Sequence, residues 1–211
     1  MLRNGGVVLR EVIPLVGLLF FTFGGCTPWR RFAYEGFWRE RWQKPDEVLA
    51  ALKLRPGEQV ADLGAGGGYF TFRLAQAVTP AGRVYAVDVD DGLLKYIGGR
   101  ARDEHLDNIG IVHARLDDAM LPVGSIDLLF TCDTYHHLEN RTEYFRNVRK
   151  YLKPAARLAV IDLKSHGILA GWLGHSTAPE TIRQELEAAG YRYERSFDFL
   201  PKQHFLIFAA P

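Results

Sequence analysis

The chain has 211 residues, of which 47% are hydrophobic and 24% are charged, and its formal net charge is +1. This is the composition of a globular protein that is long enough to bury a substantial core. The balanced charge lacks the basic surplus typical of nucleic-acid binding, so we expect no nucleic-acid partner. With only two cysteines, Cys26 and Cys132, the chain lacks a disulfide framework and a cysteine-based zinc site, and we expect no metal.

The first 25 residues differ from the rest of the chain. A weakly basic start (MLRNGGVVLRE) precedes an apolar run (VIPLVGLLFFTF), and small residues follow it. This layout is typical of a secretory signal. Residues 24–26 (GGC) resemble the end of a bacterial lipoprotein signal, in which the cysteine becomes lipid-modified, although Phe23 and Glu11 depart from that pattern. The segment therefore predicts membrane association through a lipid at Cys26.

Two other interpretations of this segment stay open. Residues 12–25 are shorter than the roughly 20 residues of a spanning helix. Arg30 and Arg31 follow closely, however, and basic residues favour the cytoplasmic side, so an uncleaved anchor would leave the protein on the cytoplasmic face. A start codon assigned too far upstream would instead leave it in the cytoplasm. We divide the chain into a signal or anchor segment (1–25), a connector (26–44) and a domain (45–211).

Short apolar runs then alternate with amphipathic segments. We predict helices at 45–54, 69–78, 91–104, 139–152 and 179–190, and strands at 59–63, 83–89, 109–114, 126–133 and 157–163. This alternation predicts βαβ units and a parallel sheet covered on both faces.

The C-terminus is organised differently from the βαβ units. Strand-like residues 191–200 and 204–210 are separated by three residues, too few for a parallel crossover, so they must form an antiparallel hairpin. The predicted fold class is α/β: a doubly wound, seven-stranded, mostly parallel sheet with an antiparallel C-terminal hairpin.

A glycine-rich turn follows the first strand, in the stretch VADLGAGGGYF. Gly64, Gly66 and Gly68 let the backbone approach a ligand closely and direct the next helix N-terminus towards it. The dinucleotide fingerprint requires glycine or alanine at the sixth position, where this chain has Tyr69. The turn therefore favours a nucleotide-like ligand other than NAD.

Two aspartates accompany the turn. Asp62 precedes it by two positions, and Asp88 ends the second strand, 20 residues after Gly68. A carboxylate at the position of Asp88 accepts hydrogen bonds from both hydroxyls of a ribose. Together they predict an adenosine-type ligand.

With these motifs, the sequence from about Gln43 to the C-terminus resembles the class I S-adenosylmethionine-dependent methyltransferases. VADLGAGGGYFTFRLA resembles their first motif and VYAVDVD their acidic second-strand motif. IDLLFTCDTYHHLEN and YLKPAARLAVIDL resemble the fourth- and fifth-strand motifs. Within the family the sequence is most similar to small-molecule enzymes of the quinone-biosynthesis type, which implies that residues 45–211 are the methyltransferase domain. The family's sheet also ends in an antiparallel hairpin.

The resemblance implies S-adenosyl-L-methionine as cofactor and a role for each matching residue. The cofactor-binding positions would be Asp62, Gly64, Gly66, Gly68, Asp88, Cys132, Asp133, and either Asp117 or Asp118. One departure is residues 153–156 (KPAA), where the family usually has Lys-Pro-Gly-Gly, and we expect altered backbone geometry there.

Methyl transfer from a sulfonium needs alignment and exclusion of water, and a base only when the acceptor must lose a proton. Ligands of open α/β sheets bind at the carboxyl ends of the strands, which places residues 133–137 (DTYHH) at the mouth of the site. Tyr135, His136 and His137 lie at this mouth and are the catalytic candidates. The histidines suit the role of a base, because an imidazole titrates near neutral pH. One histidine is alternatively a buried structural hydrogen-bonding group, and the sequence does not distinguish the two.

Residues before the core and in the hairpin are further candidates. Trp38, Trp42 and Gln43 lie where related enzymes carry a lid, or they belong to a helix packed on the sheet. Gln203 and His204 lie in the hairpin, either reaching the acceptor pocket or, as we favour, in an ordinary exposed turn.

The predicted function is methyl transfer to a small-molecule acceptor, because no added substrate domain is visible. The alternative is a membrane-tethered protein that binds the cofactor without turnover, since the donor is made in the cytoplasm. A nicotinamide oxidoreductase is disfavoured by Tyr69 and by the terminal hairpin.

Overall fold

The computed structural model describes residues 39–79, 81–164 and 176–211. The predicted signal segment, Cys26 and Trp38 lie outside these ranges. Of the helices within them, none has both the length and the apolar character needed to cross a bilayer.

The described chain alternates helices and strands after a short N-terminal helix. The helices are α1 (Arg39–Gln43), α2 (Pro45–Leu52), α3 (Thr71–Ala77), α4 (Asp91–Asp103), α5 (Arg141–Val148) and α6 (Pro179–Ala188). The strands are β1 (Gln59–Leu63), β2 (Arg83–Asp88), β3 (Ile109–His113), β4 (Ile126–Cys132), β5 (Leu152–Leu163), β6 (Arg192–Phe197) and β7 (Gln203–Ala209). Short 3₁₀ turns lie at Tyr135–His137 and Arg149–Tyr151.

The strands form one seven-stranded sheet in the order β3-β2-β1-β4-β5-β7-β6. Strands β1 to β5 pair in parallel, whereas β7 is antiparallel to both β5 and β6. The predicted fold class is confirmed, including the antiparallel hairpin inferred from its short connection. Strand order reverses between β1 and β4, and in open α/β sheets the ligand crevice lies at such a reversal.

Helices cover both faces of the sheet, because its strands are apolar on both sides. On one face, Leu52 of α2 and Leu74 of α3 pack against Phe130 of β4. On the other face, Phe145 of α5 and Leu186 of α6 belong to the second large core cluster. The carboxyl ends of β1, β2 and β4 are thereby held rigidly at one edge.

Strand β5 begins earlier than the sequence predicted, because Leu152 already pairs with Ile126 of β4. The register then shifts, and pairing resumes between Arg157 and Leu128. The extra residues of this bulge include Ala155, whose φ of 61° lies in the left-handed region that favours glycine. The alanine therefore adopts a glycine-like conformation within the KPAA turn.

Candidate functional site

The glycine turn joins β1 to α3 at the strand reversal. The backbone N–H groups of Gly64 and Ala65 donate to the carbonyl oxygen of Val87 at 2.8 and 3.0 Å. Gly64 has a φ of +75°, and a Cβ there would lie 2.0 Å from the side-chain Oγ1 of Thr134. Only glycine allows the turn and the β4 loop to approach this closely.

Asp88 fastens the glycine turn to the end of β2. Its Oδ2 accepts from the backbone N–H of Gly66 at 2.8 Å, and its Oδ1 accepts from the N–H of Asp90 at 2.9 Å. A carboxylate has about four acceptor positions, so both oxygens can still accept from a ligand. The predicted ribose-binding residue thus also orders the turn.

A cavity of about 1300 Å³ opens above the turn, at the carboxyl ends of β1, β2 and β4. Its walls comprise residues 39, 42, 63–67, 87–90, 93, 114–117, 132–134, 137–140, 143, 144 and 147. The cavity therefore brings together six of the predicted cofactor-binding residues: Gly64, Gly66, Asp88, Asp117, Cys132 and Asp133.

One part of the wall suits a planar heterocycle with hydroxyls attached. Val89 and Leu116 line the cavity with 49% and 83% of their surfaces exposed, so both apolar side chains can contact a ligand. The carboxylates of Asp88 and Asp117 lie in the same wall. Apolar contact surfaces beside hydrogen-bond acceptors fit the adenine and ribose of an adenosine group.

Asp62 lies below the glycine turn. Its side chain is 3% exposed, and its Oδ2 accepts a 2.6 Å hydrogen bond from the Thr71 hydroxyl. Burial raises the pKa of Asp62 to about 6, although the hydrogen bond from Thr71 acts in the opposite direction. The cofactor contact predicted for this residue stays a prediction, while the structure assigns it an anchoring contact to α3.

The structure separates the two aspartates after β3. Asp117 is exposed in the cavity wall. Asp118 instead forms an ion pair with Lys150 at 2.8 Å and accepts from the hydroxyl of Tyr151. Partial burial acts to raise the pKa of Asp118, but the hydrogen bonds from Lys150, Tyr151 and the Met120 N–H outweigh it and lower the pKa to about 2. Of the two alternatives, only Asp117 faces the cavity.

Two buried glutamines hold Asp133 at the end of β4. Gln43 Nε2 donates to Asp133 Oδ2 at 3.0 Å, and Gln203 Nε2 donates to Oδ1 at 2.7 Å. Both amides also approach the sulfur of Cys132, at 3.3 and 3.5 Å. Burial raises the pKa of the Asp133 carboxyl and of the Cys132 thiol. Gln203 is fully buried, so the exposed turn that we favoured for it is wrong.

Helix α1 contributes to the wall from the other side. Arg39 and Trp42 line the cavity, and the guanidinium of Arg39 lies 4.3 Å from the centroid of the Tyr69 ring. The Arg39 Nε also donates to Gln43 Oε1. Trp42 lines the cavity, as a lid over the cofactor would, whereas Gln43 is buried, as expected of a helix packed on the sheet. Sequence reasoning missed Arg39, because only the folded chain places α1 beside the glycine turn.

The two adjacent histidines occupy different environments. His137 is exposed and lines the cavity. The side chain of His136 is 4% exposed, and its Nδ1 lies 2.6 Å from Oδ1 of the fully buried Asp162. The rings of His136 and His137 are 4.0 Å apart between centroids. The structure therefore distinguishes a cavity-facing imidazole from one paired with a buried carboxylate.

Tyr135 faces the core instead of the cavity. Its side chain is fully buried, its ring stacks on Phe145, and its hydroxyl donates to Glu185 Oε2 at 2.7 Å. Burial, reinforced by the neighbouring Glu185, raises the pKa of the Tyr135 hydroxyl. The hydroxyl joins α6 to the turn after β4, and the catalytic role predicted for Tyr135 stays a prediction.

Comparison with known proteins agrees with this geometry. Residues 60–155 match the model of a family described as a methyltransferase domain. The ubiquinone/menaquinone biosynthesis C-methyltransferase UbiE of Ectopseudomonas mendocina is 28% identical over 115 residues, which cover 54% of this chain and 45% of the relative. A demethylmenaquinone methyltransferase of Listeria welshimeri is 24% identical over 132 residues, covering 63% and 55%. The chain spans about half the length of these relatives.

The fold has counterparts among solved structures. A SAM-dependent methyltransferase from Aquifex aeolicus superposes with a TM-score of 0.80 at 24% identity, over 89% of this chain and all of that one. This likeness shows the fold, and the family match covers the glycine turn, Asp88 and Asp133. Residues 60–155 are therefore similar to a methyltransferase domain, and the described chain has the Rossmann-like α/β fold of that structure.

Proposed function

We propose that this chain transfers a methyl group from S-adenosyl-L-methionine to a small-molecule acceptor. The observation that carries the proposal is the bond between the Asp88 carboxylate and the Gly66 N–H, which fixes a glycine turn at the base of a large cavity. The match of residues 60–155 to a methyltransferase domain supports the same reaction.

The residues of the cavity have separate binding tasks in this proposal. Asp88 accepts the ribose hydroxyls, and Asp117 accepts from the adenine amino group. Val89 and Leu116 cover the faces of the purine ring. Arg39 provides a positive charge near the glycine turn, on the side where the carboxylate of the methionyl group would lie. The bound cofactor supplies an activated methyl group, so the protein's contribution is alignment and exclusion of water.

The cavity has room for a second molecule. Small-molecule sites usually enclose about 300–1,000 Å³, and this one encloses about 1300 Å³. The wall beyond Asp133 carries His137, Asn140 and Asn147, which offer hydrogen bonds to an acceptor. We propose a small acceptor, and the relatives named for quinone biosynthesis make a quinone-type ring the first class to test.

We also propose that residues 1–25 attach the protein to a membrane through a lipid on Cys26. Support comes from the sequence: a basic start, an apolar run and the GGC ending. Replacing Cys26 with alanine should move the full chain from the membrane to the soluble fraction of cells. An unchanged distribution would favour an uncleaved anchor.

The enzymatic proposal is tested by S-adenosylhomocysteine formation. The full-length chain is incubated with S-adenosylmethionine and with quinone-type or other small-molecule acceptors, each added separately.

Asp88→Asn should weaken cofactor binding by about 10- to 100-fold, because hydrogen bonds to a charged group contribute about 1.5–3 kcal/mol. Asp127→Asn is the control, since Asp127 lies at the opposite end of β4 and bonds the Gln59 N–H and Lys153. Cofactor binding without product would support the non-catalytic alternative.

A further inference from the structure

The starting observation is that one carboxylate joins three separate parts of the chain. Asp133 follows β4, and its Oδ2 accepts a 3.0 Å hydrogen bond from Gln43 Nε2 of α1. Its Oδ1 accepts a 2.7 Å hydrogen bond from Gln203 Nε2 of β7. The two glutamines are 1% and 0% exposed. Hydrogen bonds are stronger in a low-dielectric interior than in water, so this joint ties α1 and β7 firmly to the end of β4.

The backbone of Asp133 fixes the direction of its side chain. Its φ of 55° lies in the left-handed region, which aspartate and asparagine enter more readily than most residues. Its N–H donates to the carbonyl oxygen of Ile161 at 2.9 Å, which fastens it to β5. Sparsely populated backbone conformations cost stability and cluster at functional sites. The carboxylate is therefore directed at the two glutamines by a backbone that is itself held in place.

The two amides differ in how completely they are bonded. Gln43 Oε1 accepts from the Nε of Arg39 in the same helix, so Nε2 is the atom that faces Asp133. Within the described part of the chain, the buried Oε1 of Gln203 has no hydrogen-bond partner. A buried carbonyl without a partner costs stability. The contact of Gln203 with Asp133 is present in spite of that cost, which is more typical of a functional joint than of a purely stabilising one.

Two other contacts of α1 are weaker. Glu40 forms an ion pair with Arg73 at 2.8 Å, but its side chain is 70% exposed, and exposed ion pairs contribute little. Lys202 Nζ lies 5.5 Å from the centroid of the Trp42 ring, close to the limit of an attractive contact. The buried bonds of Gln43 therefore matter most for the position of α1 relative to the sheet.

The position of α1 matters because the helix forms part of the cavity wall. Arg39 and Trp42 line the cavity, and Gln43 follows Trp42 directly. If α1 were in place in only a fraction of the molecules, the apparent affinity for a ligand would fall by that fraction. A bond that keeps α1 in place therefore increases affinity without touching the ligand.

We propose that Asp133 is a positioning residue that holds α1 against the end of β4 through Gln43. Gln203 of β7 is the second support of its carboxylate. The cofactor then meets a wall that is already formed, and α1 is not ordered at the expense of binding. This inference rests on the proposed function, because the wall belongs to the cofactor site. It differs from the direct cofactor contact predicted for Asp133, which would require neither glutamine.

The test is hydrogen exchange of the full-length protein, read by mass spectrometry in the peptide that contains Arg39–Gln43. Gln43→Met removes the amide and keeps a side chain of similar length. Exchange in α1 should be about threefold to tenfold faster in this variant, because one hydrogen bond to a charged group is lost and the helix opens more often. Gln203→Met should change the exchange of α1 in the same direction, because Asp133 loses its second donor.

Asp133→Ala and Asp133→Asn provide a matched pair. Alanine removes both acceptor atoms, so α1 should exchange as in Gln43→Met. Asparagine tolerates the left-handed φ and keeps an acceptor for Gln43. Its amide can also donate to Gln203 Oε1 once the Gln203 amide turns over. Exchange in α1 should therefore be slower in Asp133→Asn than in Asp133→Ala.

Asn108→Leu is the control for the loss of an amide hydrogen bond elsewhere. Asn108 lies directly before β3, and its Nδ2 donates to the Ala75 carbonyl oxygen at 2.8 Å. Neither residue belongs to the cavity wall. This variant should lower the stability of the fold while leaving exchange in α1 and the affinity for S-adenosylmethionine unchanged. Circular dichroism checks that each variant is folded.

Calorimetry with S-adenosylmethionine on the same samples measures the consequence for binding. The affinities of Gln43→Met and Gln203→Met should be about threefold to tenfold lower than that of the wild type. Unchanged exchange of α1 in folded Gln43→Met would overturn the inference, as would faster exchange with unchanged affinity. A loss of affinity confined to Asp133→Ala would indicate a direct cofactor contact instead. A wild type that does not bind refutes the proposed function, while the exchange rates still decide whether Asp133 holds α1.

Discussion

At the scale of single residues, Asp62 connects burial to stability. Its pKa in the folded state is about 6, compared with an ordinary value of 3.8. Because the folded pKa is the higher one, this group's contribution to stability is full below pH 3.8 and is lost as the pH rises through 6. At pH 7 the folded protein therefore holds an ionised carboxylate at a cost.

We expect Asp62→Asn to raise the free energy of unfolding at pH 7 by about 1–3 kcal/mol. The asparagine carbonyl still accepts from the Thr71 hydroxyl, but no charge is buried. Urea denaturation at pH 7 and pH 4 provides the measurement, and the gain should shrink at the lower pH. A variant that is less stable than the wild type at pH 7 would contradict this account of Asp62.

Asp117 and Asp118 offer a matched pair of changes. Asp117→Asn should weaken binding of S-adenosylmethionine by several-fold in calorimetry, because its carboxylate faces the cavity, and should leave stability unchanged. Asp118→Asn should leave the affinity unchanged and lower stability at pH 7 by roughly 1 kcal/mol, a value reduced for partial exposure.

The effect at Asp118 also has a defined pH dependence. Because its folded pKa is lowered to about 2, its contribution is present above pH 3.8 and is lost as the pH falls towards 2. The difference in stability between the wild type and Asp118→Asn should disappear over the same interval. Reversed effects on affinity for the two variants would show that the wrong aspartate had been assigned to the cavity.

At the scale of elements, the bulge in β5 is the clearest departure from the predicted boundaries. Ala155 adopts a left-handed φ that costs an L-residue about 1–2 kcal/mol, and glycine's greater freedom in the unfolded chain offsets part of that cost. We expect Ala155→Gly to raise the free energy of unfolding by roughly 0.5–1 kcal/mol in chemical denaturation. Ala156→Gly is the control and should destabilise, since Ala156 is buried in the core cluster. Equal effects of the two changes would contradict this explanation.

Local patterns predicted the elements well because each depends on neighbouring residues. Alternating apolar runs indicated the strands, and the three residues between the predicted strands 191–200 and 204–210 required an antiparallel hairpin. The contacts of Gln43 and Gln203 with Asp133 join residues 90 and 70 positions apart, so periodicity and loop length contain no trace of them. Arg39 was missed for the same reason.

At the scale of the whole molecule, the motifs predicted the site's location but not its internal assignments. The glycine turn and Asp88 pointed to the strand reversal, because both follow directly from a βαβ unit. Choosing Asp117 over Asp118, or distinguishing His137 from His136, depends on which way adjacent side chains face after the sheet has assembled. Tyr135 has the chemistry of a catalytic residue, but its ring is buried against Phe145, which the sequence pattern does not show.

The most direct test of the central claim is calorimetry of the full-length chain with S-adenosylmethionine, S-adenosylhomocysteine and NAD. We predict that S-adenosylmethionine and S-adenosylhomocysteine bind with one site per chain, because Asp88 is bound to the glycine turn. We predict that NAD does not bind, because Tyr69 occupies the sixth position of the turn. Binding of NAD, or a folded protein that binds neither S-adenosylmethionine nor S-adenosylhomocysteine, would contradict the account.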